Sequence, residues 1–408
     1  MHLLVLADTY STDGTSPWLV EDLVHALVRQ GHTVDVLVKD MAVPRPRGLA
    51  PRNHPGVSIY SVGVTSEPSS RLARRTRLPL AMARLRTSGV RWARGRRYDA
   101  VVYTSIAWTK ARVPKAVRRS GEPVRVLVYW DFFPVHQREI GHFGRLPRAL
   151  DPVLHRIERA AVRDADVVAL MTPKNIDYFT SYFGAEGQSL VLLPPWGSDQ
   201  AIGLERGVGR EAATFTAVFG GQLTKGRGLE ELAAAAKLLL TSDPEITIDV
   251  YGDGPMAAHL ASRIAGDGLH NLVLRGRVAR GEYAAALQNA HCGIAATVDG
   301  VTVPTFPSKI VDYASAGIPV VVASECSGDV GDWVESHGAG IAVPAGDPAA
   351  LADALRSVHA LWQERARWHE MAARSRACYD SELSADVAAR RVIAAVNERR
   401  AAAGALRG

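Results

Sequence analysis

The chain has 408 residues, 47% of them hydrophobic, and a formal net charge of +6, which allows two domains with cores of their own. Its three cysteines, at positions 292, 326 and 378, are too few and too scattered for a disulfide framework or a metal site. No apolar run is long enough to span a membrane, and the N-terminus lacks the basic lead of a signal peptide, so we expect a cytoplasmic protein.

The first half of the chain has the pattern of a doubly wound α/β domain, which we place at residues 1–194. A strand, a polar loop, a helix from Pro17 to Gln30 and a second strand form a β–loop–α–β unit that implies a parallel sheet. The loop contains one glycine and lacks the GxGxxG spacing, which argues against an NAD site. The predicted strands are Leu3–Ala7, Thr33–Val38, Val57–Val62, Ala100–Thr104, Val124–Trp130, Asp166–Met171 and Leu190–Leu193.

The positive charge is concentrated in this first half. Ten arginines and no acidic residue lie between Arg71 and Arg97, interleaved with apolar residues. The pattern is typical of a solvated arginine-rich face, and a basic amphipathic helix pair that contacts an anionic membrane peripherally is the alternative. Nucleic acid is a disfavoured partner because no recognisable nucleic-acid-binding module accompanies the block.

A tract rich in proline and glycine, from Pro194 to Gly209, indicates an interdomain hinge, which we place at 195–214. A second α/β series at 215–380 predicts another doubly wound domain, and the helical tail at 381–408 is predicted to return to the first domain. The predicted strands are Phe215–Phe219, Ile246–Tyr251, Leu272–Arg275, Gly293–Ala296, Pro319–Ala323 and Gly340–Val343.

The end of the first strand in this second series has features of a phosphate site. Gly220 and Gly221 allow a ligand to approach the backbone closely. Lys225 and Arg227 follow at the carboxyl end of a parallel strand, just before a helix, where open α/β sheets bind ligands. Two cations there would suit a diphosphate, and a loop with merely exposed cations is the alternative.

The stretch Val298–Val322 adds a second loop that feeds a helix. Ser308 is predicted to cap the first turn, and Gly317 to end the helix. Lys309 lies in the first turn, where a cation is unfavourable for the helix dipole unless it faces an anion. Asp312 lies one turn on, where its carboxylate could accept hydrogen bonds from two ribose hydroxyls. The alternative is an ordinary surface helix.

Together, these motifs resemble the donor domain of the retaining, nucleotide-sugar-dependent glycosyltransferases of family 4. The resemblance covers roughly residues 215–355 and is carried by the segments GGQLTKGRG, YGDGP, LRGRV and PSKIVDYASAGIPVV. It implies the GT-B fold, two Rossmann-like domains facing each other across a cleft. PTFPSK is similar to the PSK-motif branch of polysaccharide and O-antigen enzymes. The chain departs from the family at Pro304 and Asp312, where a pair of glutamates is usual, and at Gln222, where the family has arginine.

The resemblance implies residue roles on both domains, and it implies no metal and no cofactor, since the nucleotide-sugar is a substrate. The implied donor-binding residues are Gly220, Gly221, Gln222, Gly252, Arg277, Val278, Ser308, Lys309 and Asp312. On the acceptor side it implies Thr15 and Ser16. Catalytic roles fall to Lys225 and Arg227, which would stabilise the departing diphosphate, and to Asp131 and His136 in the segment WDFFPVH.

The predicted function is retaining transfer of a hexosyl group, by front-face displacement, from a nucleoside diphosphate donor to a hydroxyl group. A UDP-sugar is the favoured donor, and the acceptor is a glycan, a lipid-linked saccharide or a natural product. Two alternatives stay open at this point: a nucleotide-sugar 2-epimerase, and a catalytically inactive partner protein that binds nucleotide-sugar. Turnover with an acceptor separates the three.

Overall fold

A computed structural model of the protein describes residues 1–10, 19–39, 48–50, 56–62, 82–118, 122–141, 147–184, 187–199 and 214–405. The chain divides into two compact units. Unit 1 comprises residues 1–137, 145–193 and 385–408, and unit 2 comprises residues 138–144 and 194–384.

Unit 1 contains an eight-stranded sheet in the order β3-β4-β2-β1-β5-β6-β7-β8. Neighbouring strands are parallel except β3, which runs antiparallel to β4 at one edge. The apolar runs of β5 and β6 are buried throughout, as expected for inner strands covered on both faces. The strands are β1 (His2–Ala7), β2 (Thr33–Val38), β3 (Gly48–Ala50), β4 (Val57–Ser61), β5 (Ala100–Thr104), β6 (Val124–Val128), β7 (Val167–Leu170) and β8 (Ser189–Leu192).

Unit 2 contains a six-stranded, fully parallel sheet in the order β11-β10-β9-β12-β13-β14. The chain enters at a central strand and winds outward in both directions, so the carboxyl ends of β9 and β12 are neighbours at the switch point. The strands are β9 (Phe215–Gly220), β10 (Ile246–Tyr251), β11 (Leu272–Gly276), β12 (Cys292–Ala296), β13 (Val320–Ser324) and β14 (Gly340–Pro344).

Helices connect the strands in both units. Those of unit 1 before the hinge are α1 (Leu19–Arg29), α2 (Val90–Ala93), α3 (Arg112–Arg118), α4 (Val135–Glu139), α5 (Asp151–Val162) and α6 (Pro173–Phe183). Those of unit 2 are α7 (Leu229–Ser242), α8 (Ala257–Asp267), α9 (Arg280–Gln288), α10 (Lys309–Ala316), α11 (Val330–Ser336), α12 (Pro348–Gln363) and α13 (Arg365–Cys378). The last helix, α14 (Ala385–Ala405), belongs to unit 1 and is joined to α1 by an ion pair between Arg29 and Asp386, 2.9 Å apart.

The predicted fold class, α/β with two doubly wound halves, is confirmed. Several ends of the predicted strands differ by one residue, and the largest difference is at β6, which stops at Val128, two residues before the predicted end at Trp130. The Ser105 hydroxyl accepts the backbone N–H groups of Trp130 and Asp131, at 3.2 and 3.1 Å, and turns the chain out of the sheet. The hinge at 195–214 stays a prediction, and its residues 200–213 lie outside the described residues.

Candidate functional site

Glycine-bearing loops at the ends of β9, β10 and β11 are joined by backbone hydrogen bonds at one edge of the unit 2 sheet. The Gly221 N–H donates to Tyr251 O at 3.0 Å, and the Gly252 N–H donates to Gly276 O at 2.8 Å. Gly252 has a φ of +137°, and a Cβ there would lie 1.8 Å from Gly221 O. Only glycine fits at this position, so the main chains of these loops pack directly against one another. We call Gly220, Gly221 and Gly252 the glycine floor.

Two tyrosines, Tyr283 and Tyr313, contact the glycine floor. The Gly220 N–H donates to the Tyr313 hydroxyl at 3.1 Å, and that hydroxyl donates to Ile294 O at 2.9 Å. Gly220 also lies so close to Tyr283 that a Cβ would come within 1.9 Å of its hydroxyl oxygen. Burial raises the pKa of both tyrosines, so both hydroxyls stay protonated and neutral at physiological pH.

Lys309 places a buried amino group directly at the floor. Its side chain starts α10, is 8% exposed, and carries Nζ to 3.4 Å from the ring centroid of Phe219. Nζ has no hydrogen-bond partner among the described residues. It lies 4.0 Å from the point that a Cβ on Gly221 would occupy, which is van der Waals contact. Burial, and then the nearby charge of Arg227, lower the pKa of Lys309 well below its usual value. An anion at these strand ends would stabilise the protonated form of this amine.

Two further cations lie on the loop between β9 and α7. Lys225 and Arg227 are both exposed, and Gly228, with a φ of +62°, ends the loop against β12. A Cβ on Gly228 would lie 2.6 Å from the Ala296 methyl carbon, so only glycine lets this loop pack against the end of β12. The loop therefore presents two long cationic side chains to solvent at the edge that holds Lys309.

The other residues predicted for this edge differ in the exposure of their side chains. Gln222 and Ser308 are exposed, and Asp312 is half-buried one turn into α10. Arg277 is exposed and Val278 half-buried, directly after β11. The roles of these residues stay predictions, and the structure places them at the ends of β9 and β11 and at the start of α10.

The predicted cap by Ser308 is wrong. Ser308 already has helical backbone angles, φ −59° and ψ −21°, and its side chain makes no cap hydrogen bond. The turn is instead closed by main-chain bonds from Ile310 N–H to Pro307 O and from Val311 N–H to Ser308 O, each 3.1 Å long. The Ser308 hydroxyl is therefore left on the surface rather than used by the helix.

Glu325, which the sequence analysis missed, organises the loop before α10. Its carboxylate is 3% exposed at the end of β13 and accepts the Thr297 hydroxyl at 2.5 Å. The other oxygen accepts both the N–H and the hydroxyl of Thr305, at 3.0 and 2.7 Å. These bonds fasten the segment that leads to Lys309 onto two strand ends. No local pattern signals the role, because the partners lie 20 and 28 residues away along the chain.

The candidates for acid–base work lie in unit 1. Asp131 follows β6, and His136 lies in α4, with His136 Nδ1 3.4 Å from an Asp131 carboxylate oxygen. The histidine side chain is 15% exposed and the aspartate 44%, so the carboxylate reaches solvent while the imidazole is mostly covered. Thr15 and Ser16 lie outside the described residues.

The described residues offer neither a metal site nor a helix that could span a membrane. No group of three or more His, Cys, Asp or Glu side chains there could hold a metal ion. None of the helices that the structure describes combines the length and apolarity needed to cross a bilayer.

The chain is similar to known proteins in both halves. A family model described as a glycosyl transferase 4-like domain matches residues 15–196, and one described as glycosyl transferases group 1 matches residues 214–360. No curated protein matches the chain.

Solved structures match over nearly the full length. Sucrose-phosphate synthase from Thermosynechococcus elongatus has a TM-score of 0.72 and 16% identity, covering 98% of this chain and 100% of its own. The α,α-trehalose 6-phosphate synthase from Burkholderia multivorans has a TM-score of 0.71 and 14% identity, covering 98% and 99%. HepE from Anabaena, in complex with UDP, has a TM-score of 0.65 and 15% identity, covering 98% and 100%.

At these identities the solved structures show the fold, and the two family models supply the activity class. The models follow one another along the chain and are separated only by residues 197–213. The α/β architecture of the two units agrees with that of the structural relatives. The chain therefore belongs to the glycosyltransferases of the GT-B type.

Proposed function

We propose that this chain is a retaining glycosyltransferase that moves a sugar from a nucleoside diphosphate to a hydroxyl of a glycan, lipid-linked or natural-product acceptor. The observation that carries the proposal is the buried Lys309 amine, which has no described hydrogen-bond partner and lies beside Gly221 at the strand ends. A diphosphate at this place would compensate the charge of Lys309 and would meet Lys225 and Arg227 on the neighbouring loop.

The rest of the donor fits the same edge. The absence of side chains at Gly220, Gly221 and Gly252 lets a diphosphate approach the main chain closely at this edge. Asp312 would bind the ribose hydroxyls, and Arg277 with Val278 would border the base. UDP is the nucleotide we favour, and the UDP complex of the related HepE protein supports that choice.

For the chemistry, we propose front-face displacement without a covalent enzyme intermediate. The bond from the anomeric carbon to the donor oxygen breaks as the acceptor oxygen bonds to the same face, and the acceptor proton passes to the departing diphosphate. Lys225 and Arg227 stabilise the charge that grows on that diphosphate. Asp131 and His136 orient the acceptor hydroxyl.

Because charge on the leaving group is larger in the transition state, Lys225 and Arg227 should matter more for turnover than for binding. We expect Lys225→Ala or Arg227→Ala to lower kcat by about 10²–10³-fold, the range seen when one electrostatic donor is removed. Donor Kd should change less. An equal loss in kcat and in donor affinity would assign these cations to ground-state binding instead.

Two measurements test the proposal in sequence. Thermal denaturation with UDP-, GDP-, dTDP- and ADP-sugars identifies the donor, since a ligand at 100 times its Kd adds about 2.7 kcal/mol of stability. Turnover is then followed with and without acceptors. Transfer with retained anomeric configuration supports the proposal. Free sugar and nucleotide without any acceptor would point to the 2-epimerase, and stabilisation without turnover to an inactive partner protein.

Peripheral membrane contact through Arg71–Arg97 is also part of the proposal. Residues 71–81 lie outside the described residues. In the rest of the block, the exposed arginines are Arg91, Arg94, Arg96 and Arg97. We expect a variant with these four changed to glutamine to sediment less with anionic liposomes, and equal sedimentation of both proteins would remove this contact from the proposal.

A further inference from the structure

The outer face of α5 in unit 1 exposes an unusual amount of apolar surface. Leu150, Val153 and Ile157 are 42%, 54% and 45% exposed. Only two other large hydrophobic side chains in the described part of the chain are exposed, Leu192 and Leu238. Three of the five therefore lie within a single eight-residue segment, where they form one patch rather than scattered surface residues.

Val153 and Ile157 lie on one stripe of α5, and Leu150 is the residue just before the helix begins. The spacing of four residues places Val153 and Ile157 on neighbouring turns of the same side. The buried side of the helix includes Glu158, whose carboxylate accepts the N–H groups of Ala107 and Trp108, at 2.7 and 3.0 Å. Because these bonds fix the rotation of α5 against unit 1, the apolar stripe is held outward.

Cations flank the stripe. Arg148 and Arg156 are exposed and form no ion pair with the described residues. Of the two acidic residues of α5, Glu158 is fully buried and Asp151 is half-buried. The accessible side of α5 therefore combines apolar side chains with positive charge.

The neighbouring helix extends this charge. Lys115 of α3 is paired with Asp164, just after α5, at 2.6 Å. This pair brings α3 alongside the end of α5, and the exposed side of α3 also carries Arg112 and Arg118. Exposed arginines therefore also lie on the helix that contacts the end of α5.

We propose that this surface, Leu150, Val153 and Ile157 with Arg148 and Arg156, docks on an anionic lipid bilayer. A narrow apolar stripe bordered by arginines is suited to the boundary between headgroups and acyl chains, where the apolar side chains insert and the guanidinium groups remain with the phosphates. Three side chains are too few for a stable protein interface, which buries about 800 Å² on each partner.

The test is co-sedimentation of the full-length chain with vesicles of phosphatidylcholine containing phosphatidylglycerol, compared with vesicles of phosphatidylcholine alone. Wild type should bind the anionic vesicles preferentially, and less so at high salt. Arg148→Gln with Arg156→Gln should weaken the partition coefficient by about tenfold or more. Val153→Ser with Ile157→Ser should weaken binding even at low salt, because insertion is lost.

Leu238→Ser is the matched control, since Leu238 is 44% exposed on α7 of unit 2. It should bind vesicles as wild type does. All variants should keep the thermal stabilisation by nucleotide, which separates a failure of this proposal from a failure of the donor site. Unchanged vesicle binding by both double variants would overturn the proposal. So would a dimer, seen by light scattering, that Val153→Ser with Ile157→Ser converts to monomer.

Discussion

Lys309 combines a cost to stability with a contribution to binding. A buried amine with no described hydrogen-bond partner is destabilising by about 1–3 kcal/mol. Its folded pKa lies below the unfolded value, so the unfolded state binds more protons in the window between the two. Stability should therefore rise with pH through that window, up to the unfolded value near 10.5.

Lys309→Met should accordingly make the ligand-free protein more stable, by about 1 kcal/mol, because the substitution keeps the side-chain length and removes the unpaired amine. The same variant should lose the stabilisation that nucleotide gives to wild type. Thermal denaturation with and without UDP measures both effects. Lys237→Met is the control, since Lys237 has a side chain 59% exposed and should show neither effect. A less stable Lys309→Met variant would contradict this account.

The lowered pKa of Lys309 also predicts that nucleotide binding takes up a proton. Burial favours the neutral amine in the free protein, and a bound diphosphate favours the charged one. Above the free-protein pKa, affinity should weaken as pH rises. Titration calorimetry in buffers of different ionisation enthalpy should show uptake of up to one proton per nucleotide in wild type and none in Lys309→Met. Equal proton uptake by both proteins would place the proton elsewhere.

Asp312 gives a prediction with a built-in rescue. Asp312→Ala should chiefly raise the donor Kd, by about five- to tenfold, because ribose contacts change little between ground and transition states. Asp312→Glu should be mild, since the longer side chain restores the residue usual in the family that the motifs resemble. Donor titration and kcat together distinguish the outcomes. If Asp312→Ala leaves both unchanged in a folded protein, Asp312 does not hold the ribose.

At the scale of elements, the loop before α10 depends on a carboxylate from another strand. Glu325→Ala should release Thr305 and Thr297, raise the KM for donor several-fold and change kcat less, because the loop positions Lys309 rather than the reacting atoms. Glu325→Gln should largely rescue, since its amide oxygen still accepts from Thr305. Its NH₂ can donate to the Thr297 hydroxyl, which then turns to the Ala323 carbonyl, 3.3 Å away. Equal loss in both variants would mean that the charge matters, and no loss in either would mean that the loop holds without Glu325.

This element also shows where sequence reasoning ends. The strands were predictable because runs of β-branched residues between glycine and proline are local signals. The helix end at Gly317 was predictable for the same reason, and this glycine has a φ of +62°. Close approach of a ligand was predicted at Gly220 and Gly221, whereas the contact of Gly252 with Gly221 O was not. The burial of Lys309 and the bonds of Glu325 were not predictable either, since both depend on which strands become neighbours. Ser308 misled for a related reason: a serine before a helix predicts a cap only if the chain leaves the helical region there.

At the scale of the whole molecule, neither unit is a single continuous segment of the chain. Unit 1 is completed by α14, from the far end of the chain, whereas the residues proposed to bind donor all lie in unit 2. The buried face of α14 includes Val392 and Val396, and Arg400 is paired with Asp99 at 2.8 Å. Stability of unit 1 and donor binding by unit 2 should therefore be separable.

Val392→Ala with Val396→Ala tests this separation. Each truncation of a buried valine removes apolar contact and leaves a small cavity, so the pair should destabilise unit 1 by about 2–4 kcal/mol. Denaturant unfolding should then show an earlier transition for unit 1, while the affinity for UDP and the stabilisation that UDP gives to unit 2 stay as in wild type. Asn397→Ala, at an exposed position of the same helix, is the control and should leave both transitions in place. If the double variant loses UDP affinity in proportion to its lost stability, the two units fold as one cooperative body, and the donor site depends on the helix that closes unit 1.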